Sequence, residues 1–350
     1  MKNRLITFFC WFFQKKPPPC LQRFLFVSTT GLGDSLWAVP AIDGLKKTYP
    51  KIKIDLLTSA VGEKALRNNP AIDKVYTIKE PLFWSFFSLR KQLKMRYSHA
   101  LIFHSSQRLI LPLLIASYIP NRVGTKGQQK GLDHLLTVAL TDKTHEITRR
   151  EHLLSALDAK ILDPKLRFFL TEEEKIEGEK WIQPYRKNAP LILVHAGAKD
   201  LYKCWPEKRF IELIKKLQQT LSCTIFLGYG QPKEKAAVTA IQKKTPGSIL
   251  IEPKNLRLYA GILNHVDLVI TNDTGPMHLA SSLDTNVLAF FSATDPLRSG
   301  PYRENTAHIL HQPRACTPCL ARSCKRPFCM EQISVEKALE KTLEILHYPK

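Results

Sequence analysis

From Arg23 onward, short apolar runs alternate with stretches whose apolar residues recur every three to four positions. Phe24-Leu25-Phe26-Val27 is the first run, closed by Ser28-Thr29-Thr30-Gly31-Leu32-Gly33, and a helical pattern covers residues 34–49. Further strand-like runs lie at 52–57, 74–78 and 100–103, with helical stretches between them. Residues 109–119 are almost wholly apolar, carry Pro112 and stop at Pro120; being shorter than the roughly 20 residues a bilayer demands, they read as a buried helix. Strands alternating with helices of this length indicate a parallel α/β sheet.

Residues 160–189 interrupt the alternation. They hold Asp163-Pro164, a helix start at Thr171-Glu172-Glu173-Glu174 with capping-box spacing, and prolines at 184 and 190. Strand-like runs then resume at 191–194, 223–227, 266–270 and 286–291, with helices over 206–217 and from near Thr274. The expected organisation is α/β with two Rossmann-like domains facing each other across a cleft, ligands sitting beyond the carboxyl ends of the strands. The boundaries read as an N-terminal arm 1–20, a first domain 21–165, a linker 166–189, a second domain 190–333 and a C-terminal helix 334–350. No internal sequence repeat is visible.

Composition adds a partner class. The chain has 350 residues, 44% of them hydrophobic, which supplies two packed cores and excludes a disordered polybasic protein. Its formal net charge is +21, of which +15 falls within residues 1–150 and +6 in the rest. A basic front half implies an anionic partner there: nucleic acid, phosphorylated lipid or a membrane surface. Leu5-Ile6-Thr7-Phe8-Phe9-Cys10-Trp11-Phe12-Phe13 is too short to span a bilayer and precedes Lys15-Lys16-Pro17-Pro18-Pro19, a poor cleavage region. It reads either as a segment lying in a membrane interface or as a frayed extension. Eight cysteines in a chain of this length do not make a secreted disulfide scaffold, and a reduced, cytoplasmic protein is expected.

Four places can carry chemistry. In Thr29-Thr30-Gly31-Leu32-Gly33-Asp34, Gly31 and Gly33 let the backbone approach a ligand at a helix start, but Leu36 stands where a dinucleotide fingerprint needs its third glycine. Asp55 is mid-strand and does not rescue a nicotinamide site. Asp34 is either a helix cap or a carboxylate facing the expected cleft. In Thr271-Asn272-Asp273-Thr274-Gly275-Pro276-Met277-His278, cap-type residues and an early proline open a helix whose free N–H groups suit a pyrophosphate. His278 lies on the same helix face as Thr274 and is either packed or functional. The loop 195–206 offers Lys203 as a point charge for a leaving phosphate, or a merely solvated lysine. Cys316, Cys319, Cys324 and Cys329 have enough thiols for a metal, but lack paired C-x2-C knuckles; reduced packing or redox-sensitive cysteines are the alternative. Asp-x-Asp, phosphate-loop and nucleophile-elbow sequences are absent, which disfavours a sugar transferase that holds its nucleotide through a metal.

Together, Gly31-Leu32-Gly33-Asp34 with Pro40-Ala41-Ile42, and Asn272-Asp273-Thr274-Gly275-Pro276-Met277-His278-Leu279-Ala280, resemble glycosyltransferase family 9, the lipopolysaccharide heptosyltransferases. Arg122-Val123-Gly124, His145 with Arg149, and residues 203–206 support the resemblance, which runs over about residues 23–341. It implies a GT-B fold with an N-terminal acceptor domain and a C-terminal domain for a nucleotide sugar, typically ADP-heptose. It further implies inverting transfer with no metal or other cofactor required, Asp34 as the base on the acceptor hydroxyl, Lys203 on the donor diphosphate, and Asp273, Thr274, Gly275 and His278 at the donor-binding helix start. The family's donor-contacting glutamate falls on either Gln231 or Glu234. The implied partners are the nucleotide sugar, a phosphorylated lipid or lipopolysaccharide acceptor and the anionic inner leaflet, with no nucleic acid, for a protein peripheral to the cytoplasmic membrane. Two other classes stand beside this reading: a sugar-nucleotide-binding protein that has lost transfer, and a cysteine-cluster metalloprotein binding nucleic acid.

Overall fold

The computed structural model describes residues 2–11, 22–79, 81–141, 143–187, 189–252, 254–302, 305–317, 319, 321–324 and 328–347. Cys20, the Lys15–Pro19 stretch noted above and the rest of the N-terminal arm beyond residue 11 lie outside these described residues. The chain divides into two compact units, Met1–Phe169 and Leu170–Lys350.

The first unit is built on β1 (Arg23–Ser28), β2 (Lys53–Thr58), β3 (Lys74–Thr77), β4 (His99–His104), β5 (Asn121–Thr125) and β6 (Val138–Leu140). Its order is β3-β2-β1-β4-β5-β6 and its pairings are parallel. The second unit repeats the order with β7 (Leu191–His195), β8 (Thr224–Gly228), β9 (Ile249–Leu250), β10 (Leu268–Asn272), β11 (Asn286–Phe291) and β12 (Ala307–His311), arranged β12-β11-β10-β7-β8-β9. The repeat that the sequence hides is thus one of topology. Each sheet is of the doubly wound kind, and its order reverses at a switch point: between β1 and β4 in one unit, between β7 and β10 in the other. Crevices for ligands open beyond the carboxyl ends of those strand pairs.

The helical pattern over 34–49 is two helices, Leu32–Leu36 and Val39–Thr48. Pro40 is the reason: its ring cannot coexist with the carbonyl four residues earlier, which belongs to Leu36, where the first helix ends. The apolar stretch at 109–119 is the helix Ile110–Ala116, buried at every residue. Asp55 is locked into the core, accepting hydrogen bonds from Arg23 Nε at 3.0 Å and Tyr97 Oη at 2.5 Å, so its role is structural. Segment 170–189 carries the helix Glu172–Ile182, with the capping box Thr171/Glu174 formed as its spacing predicts. That helix packs within the second unit, on the helix Leu256–Leu263, so closely that a Cβ on Gly178 would lie 2.2 Å from the backbone of Gly261. The C-terminal helix Val335–Ile345 buries Val335, Ala338 and Ile345 in the same unit's core beside the helix Glu207–Thr220.

Candidate functional site

In the first unit the crevice end of β1 runs into the helix Leu32–Leu36, whose N-cap is Gly31 and whose third residue is Asp34. Gly31 has φ −81°, so its glycine supplies space and not a left-handed turn. Asp34 Oδ2 accepts a hydrogen bond from Gly31 N–H at 3.2 Å. The cap and base readings are therefore compatible: one oxygen is tied to the turn, and Oδ1 lies 3.7 Å from His104 Nδ1 at the end of β4. Behind them the helix Glu146–Ser155 presents Glu146, Arg149 and Arg150, one turn apart, into the same place. Arg150, 1% exposed, donates from Nη1 to Glu146 Oε2 at 2.8 Å and from Nη2 to His104 Nδ1 at 3.0 Å and to the Asp34 carbonyl at 3.3 Å. Arg149 is ion-paired with Glu146. Nδ1 of His104 thus faces the Arg150 guanidinium, while its Nε2 lies 3.5 Å from Arg149 Nη2 and 3.7 Å from Glu146 Oε2.

These contacts set the charges. Burial pushes the Asp34 carboxyl upward, but His104, the Thr30 hydroxyl, Arg150 and the Gly31 N–H outweigh it and hold the group below its ordinary range. Burial lowers His104, with only partial compensation from Asp34 and Glu146, which favours the neutral imidazole at pH 7. Glu146 is likewise held low: burial opposes ionisation, and Arg150, His104 and Arg149 overcome it. Sequence reasoning missed His104, Glu146 and Arg150. The i, i+3, i+4 spacing of Glu146, Arg149 and Arg150 on a predicted helix was the available signal. Of the supporting residues, Arg122 is structural, its guanidinium donating to the carbonyls of Ile119, Pro120 and Leu135. His145 caps the helix it begins, Nδ1 accepting from Ile147 N–H.

In the second unit the switch point brings together the loop after β7 and the end of β10. Asn272 ties them: its Oδ1 accepts from Trp205 N–H at 2.9 Å and its Nδ2 donates to the Ala196 carbonyl at 2.8 Å. Trp205 is buried against Phe210 and Phe290, which fixes the preceding residue pair and with it Lys203. Lys203 Nζ donates to Asp273 Oδ2 at 2.6 Å, the lysine a fifth exposed and the aspartate nearly buried. The lysine is therefore held by an ion pair at the end of β10. Thr274 is the N-cap of the helix Gly275–Ser281, yet its hydroxyl makes no capping bond and lies 3.3 Å from Thr271 Oγ1. Gly275 opens the helix, and His278 is buried one turn in.

Gln231 and Glu234 differ in their surroundings. Gln231 is exposed, whereas Glu234 is buried, accepts from Gly230 N–H at 2.8 Å and Gln231 N–H at 3.2 Å, and would lie 2.6 Å from a Cβ on Gly197. His195 at the end of β7 lies 3.8 Å from Glu234 Oε2 through Nε2, while its Nδ1 is 3.1 Å from Tyr259 Oη. Full burial, only partly offset by Glu234, pushes His195 down to about 4. The thiols Cys316, Cys319 and Cys324 are half-buried and Cys329 is buried, and none of the four is in a disulfide among the described residues. Among the described residues no three His, Cys, Asp or Glu side chains gather closely enough to hold a metal ion.

The family model of glycosyltransferase family 9 (heptosyltransferase) matches residues 87–329, well over half of the chain. The chain belongs to that family. Among relatives of this glycosyltransferase, the lipooligosaccharide heptosyltransferase 2 of Campylobacter jejuni is 26% identical over 322 residues, covering 89% of this chain and 95% of the relative. The crystal structure of a family 9 glycosyl transferase from Veillonella parvula superposes with TM-score 0.79 at 18% identity, over 95% of this chain and 99% of that one. The ADP-heptose lipopolysaccharide heptosyltransferase II of Escherichia coli follows with TM-score 0.74 at 20% identity, over 93% and 98%. These likenesses and the two six-stranded parallel sheets make the family 9 chain a GT-B protein with two Rossmann-like domains.

Proposed function

We propose that this glycosyltransferase moves heptose from ADP-heptose to a lipopolysaccharide-core precursor, in an inverting displacement that uses Asp34 as the base and no metal. The observation that supports the reading is Asp34, a partly exposed carboxylate at a switch point with Oδ2 held by Gly31 N–H and Oδ1 3.7 Å from His104 Nδ1. The names of the Campylobacter and Escherichia relatives support heptose as the sugar and, for the latter, ADP as the nucleotide.

In this mechanism the acceptor hydroxyl gives its proton to Asp34 as its oxygen forms a bond to the anomeric carbon. The bond from that carbon to the diphosphate breaks with its electron pair on ADP, so a single displacement inverts the anomeric centre. A carboxylate held below its ordinary range is a weak base toward a resting alcohol. Proton transfer therefore runs late, when the forming bond has made the hydroxyl acidic. Lys203 neutralises the leaving diphosphate, with Asp273 holding the ammonium in place, and Thr274, Gly275 and the N–H groups of their helix start add hydrogen bonds. Glu234, rather than Gln231, contacts the donor, and His278 shapes the wall behind it. Unit one is the acceptor domain, with the N-terminal arm as a peripheral contact on an anionic cytoplasmic membrane face; no described helix is long and apolar enough to cross a membrane.

The test is mass spectrometry of the core oligosaccharide from a strain lacking this chain. A core truncated before one heptose, restored by the wild-type chain and not by the D34N variant, is expected. A core of unchanged mass would overturn the reading.

A further inference from the structure

The helix Leu82–Leu93 buries Leu82, Phe86, Leu89 and Leu93 in the core of the first unit. Its opposite side is not polar. Phe83, Trp84 and Phe87 stand 61%, 78% and 71% exposed, although aromatic side chains of this size are the first to be buried in a soluble domain. The three share one stripe, and continuing that stripe toward the C-terminus gives exposed Lys91 and Lys94, with Arg96 just beyond and Lys79 just before the helix. The helix holds no acidic residue. A second helix, Lys2–Trp11, packs on the same neighbour, Ile110–Ala116, with Ile6 and Cys10 turned inward and Asn3 and Thr7 hydrogen-bonded to Gly131 and His134. That docking turns Leu5 and Phe8 outward, 65% and 64% exposed, on a helix that is also free of acids.

We propose that the aromatic stripe Phe83–Trp84–Phe87, bordered by Lys79, Lys91, Lys94 and Arg96, is a docking surface for an anionic lipid bilayer. The arrangement is that of an interfacial helix: aromatic rings reach the acyl boundary while lysines and arginines, on long stems, meet the headgroup charges. The occupant is argued from charge. A surface pairing three bulky aromatics with four cations, against a single acid (Glu80) in the sequence 79–96, fits an apolar layer faced with negative charge. It does not fit a second copy of itself, which would bring the same cations into contact. The +15 balance of residues 1–150 adds long-range attraction of the same sign. This extends the membrane contact proposed above from the N-terminal arm to the folded unit, and rests on no assignment of donor, acceptor or base.

The experiment uses the full chain, vesicles of phosphatidylethanolamine with or without phosphatidylglycerol, and no nucleotide or acceptor. Sedimentation with phosphatidylglycerol vesicles is expected to weaken at least about tenfold in an F83S/W84S/F87S variant. It should fall about threefold or more in K91Q/K94Q, with the latter loss vanishing in zwitterionic vesicles. A blue shift of tryptophan emission on binding should be reduced in W84F. Because these side chains are exposed, thermal unfolding should be unchanged in every variant. Binding of equal strength by the triple variant would overturn the proposal, as would absence of wild-type binding or a solution dimer that the triple substitution dissociates. A failure here leaves the transfer reading intact, because transfer is read by the mass of the core and docking by vesicle partition.

Discussion

At the residue scale, each switch point holds a histidine that its surroundings bias toward the neutral form, His104 partly buried and His195 buried. His104 accepts from Arg150 on one side of Asp34, and His195 lies between Tyr259 and Glu234. The His195 case yields a pH signature. Its folded value, about 4, lies below the ordinary value of 6.5, so below pH 6.5 the unfolded chain binds a proton that the folded chain refuses. The stability this contributes is complete above pH 6.5 and is lost as pH falls through about 4. Denaturant unfolding at a series of pH values should show the wild type losing on the order of 3 kcal/mol more than H195Q across that window. Parallel pH dependences in the two proteins would show that the histidine charges freely. In the proposed mechanism Asp34 has the same sign for activity. Its depressed value keeps it ionised, and the acid limb of the rate profile should lie below the ordinary carboxylate range.

At the scale of elements, the crossing of Glu172–Ile182 over Leu256–Leu263 is the most exacting contact in the second unit. A helical glycine replaced by alanine ordinarily gains about 1 kcal/mol from propensity. At Gly178 the added methyl would meet the backbone of Gly261, which cannot rotate aside as a side chain can. Overpacking of this kind costs about 1–3 kcal/mol or more, so the clash wins and G178A should lower the unfolding midpoint. A raised midpoint would mean that the helices separate easily. This crossing also shows what a single sequence leaves hidden. The capping box of Thr171 and Glu174 was legible from spacing alone, but the partner of the helix it starts lies some eighty residues on, and it is the Gly178–Gly261 approach and the Arg257–Glu174 ion pair that reveal it.

The same division holds for strands and for the sites. The central strands β1, β4, β7 and β10 are buried on both faces and read as continuous apolar runs. The edge strands β6, β9 and β12 are half-buried and short or polar-broken, and β5 carries Asn121, Arg122 and Gly124, so none of the four stood out. Asp34 and Asp273 stood out as candidates because each opens a helix after a strong central strand, whereas Lys203, eight residues past β7, was singled out only by the family resemblance. His104, Glu146, Arg150 and Tyr259 were not, because what gives them meaning is proximity across the sheet.

At the scale of the whole molecule, two units with one strand order present complementary chemistry at their switch points: a carboxylate with neutral histidine and buried arginines in one, an ammonium with a helix start in the other. Glycosyl transfer needs both functions, a proton acceptor for the attacking hydroxyl and positive charge for the leaving diphosphate. The net charge of +21, concentrated in the first unit, fits a phosphorylated lipid acceptor presented at an anionic surface. The most direct test incubates the purified full-length chain with ADP-heptose and a lipopolysaccharide precursor lacking core heptose, and reads the acceptor by mass spectrometry. A gain of one heptose with the wild type, its loss by at least about a thousandfold in D34N, and retained ADP binding by that variant in calorimetry are the predicted results. Transfer at the wild-type rate by D34N, or donor binding with no transfer by the wild type, would contradict the account.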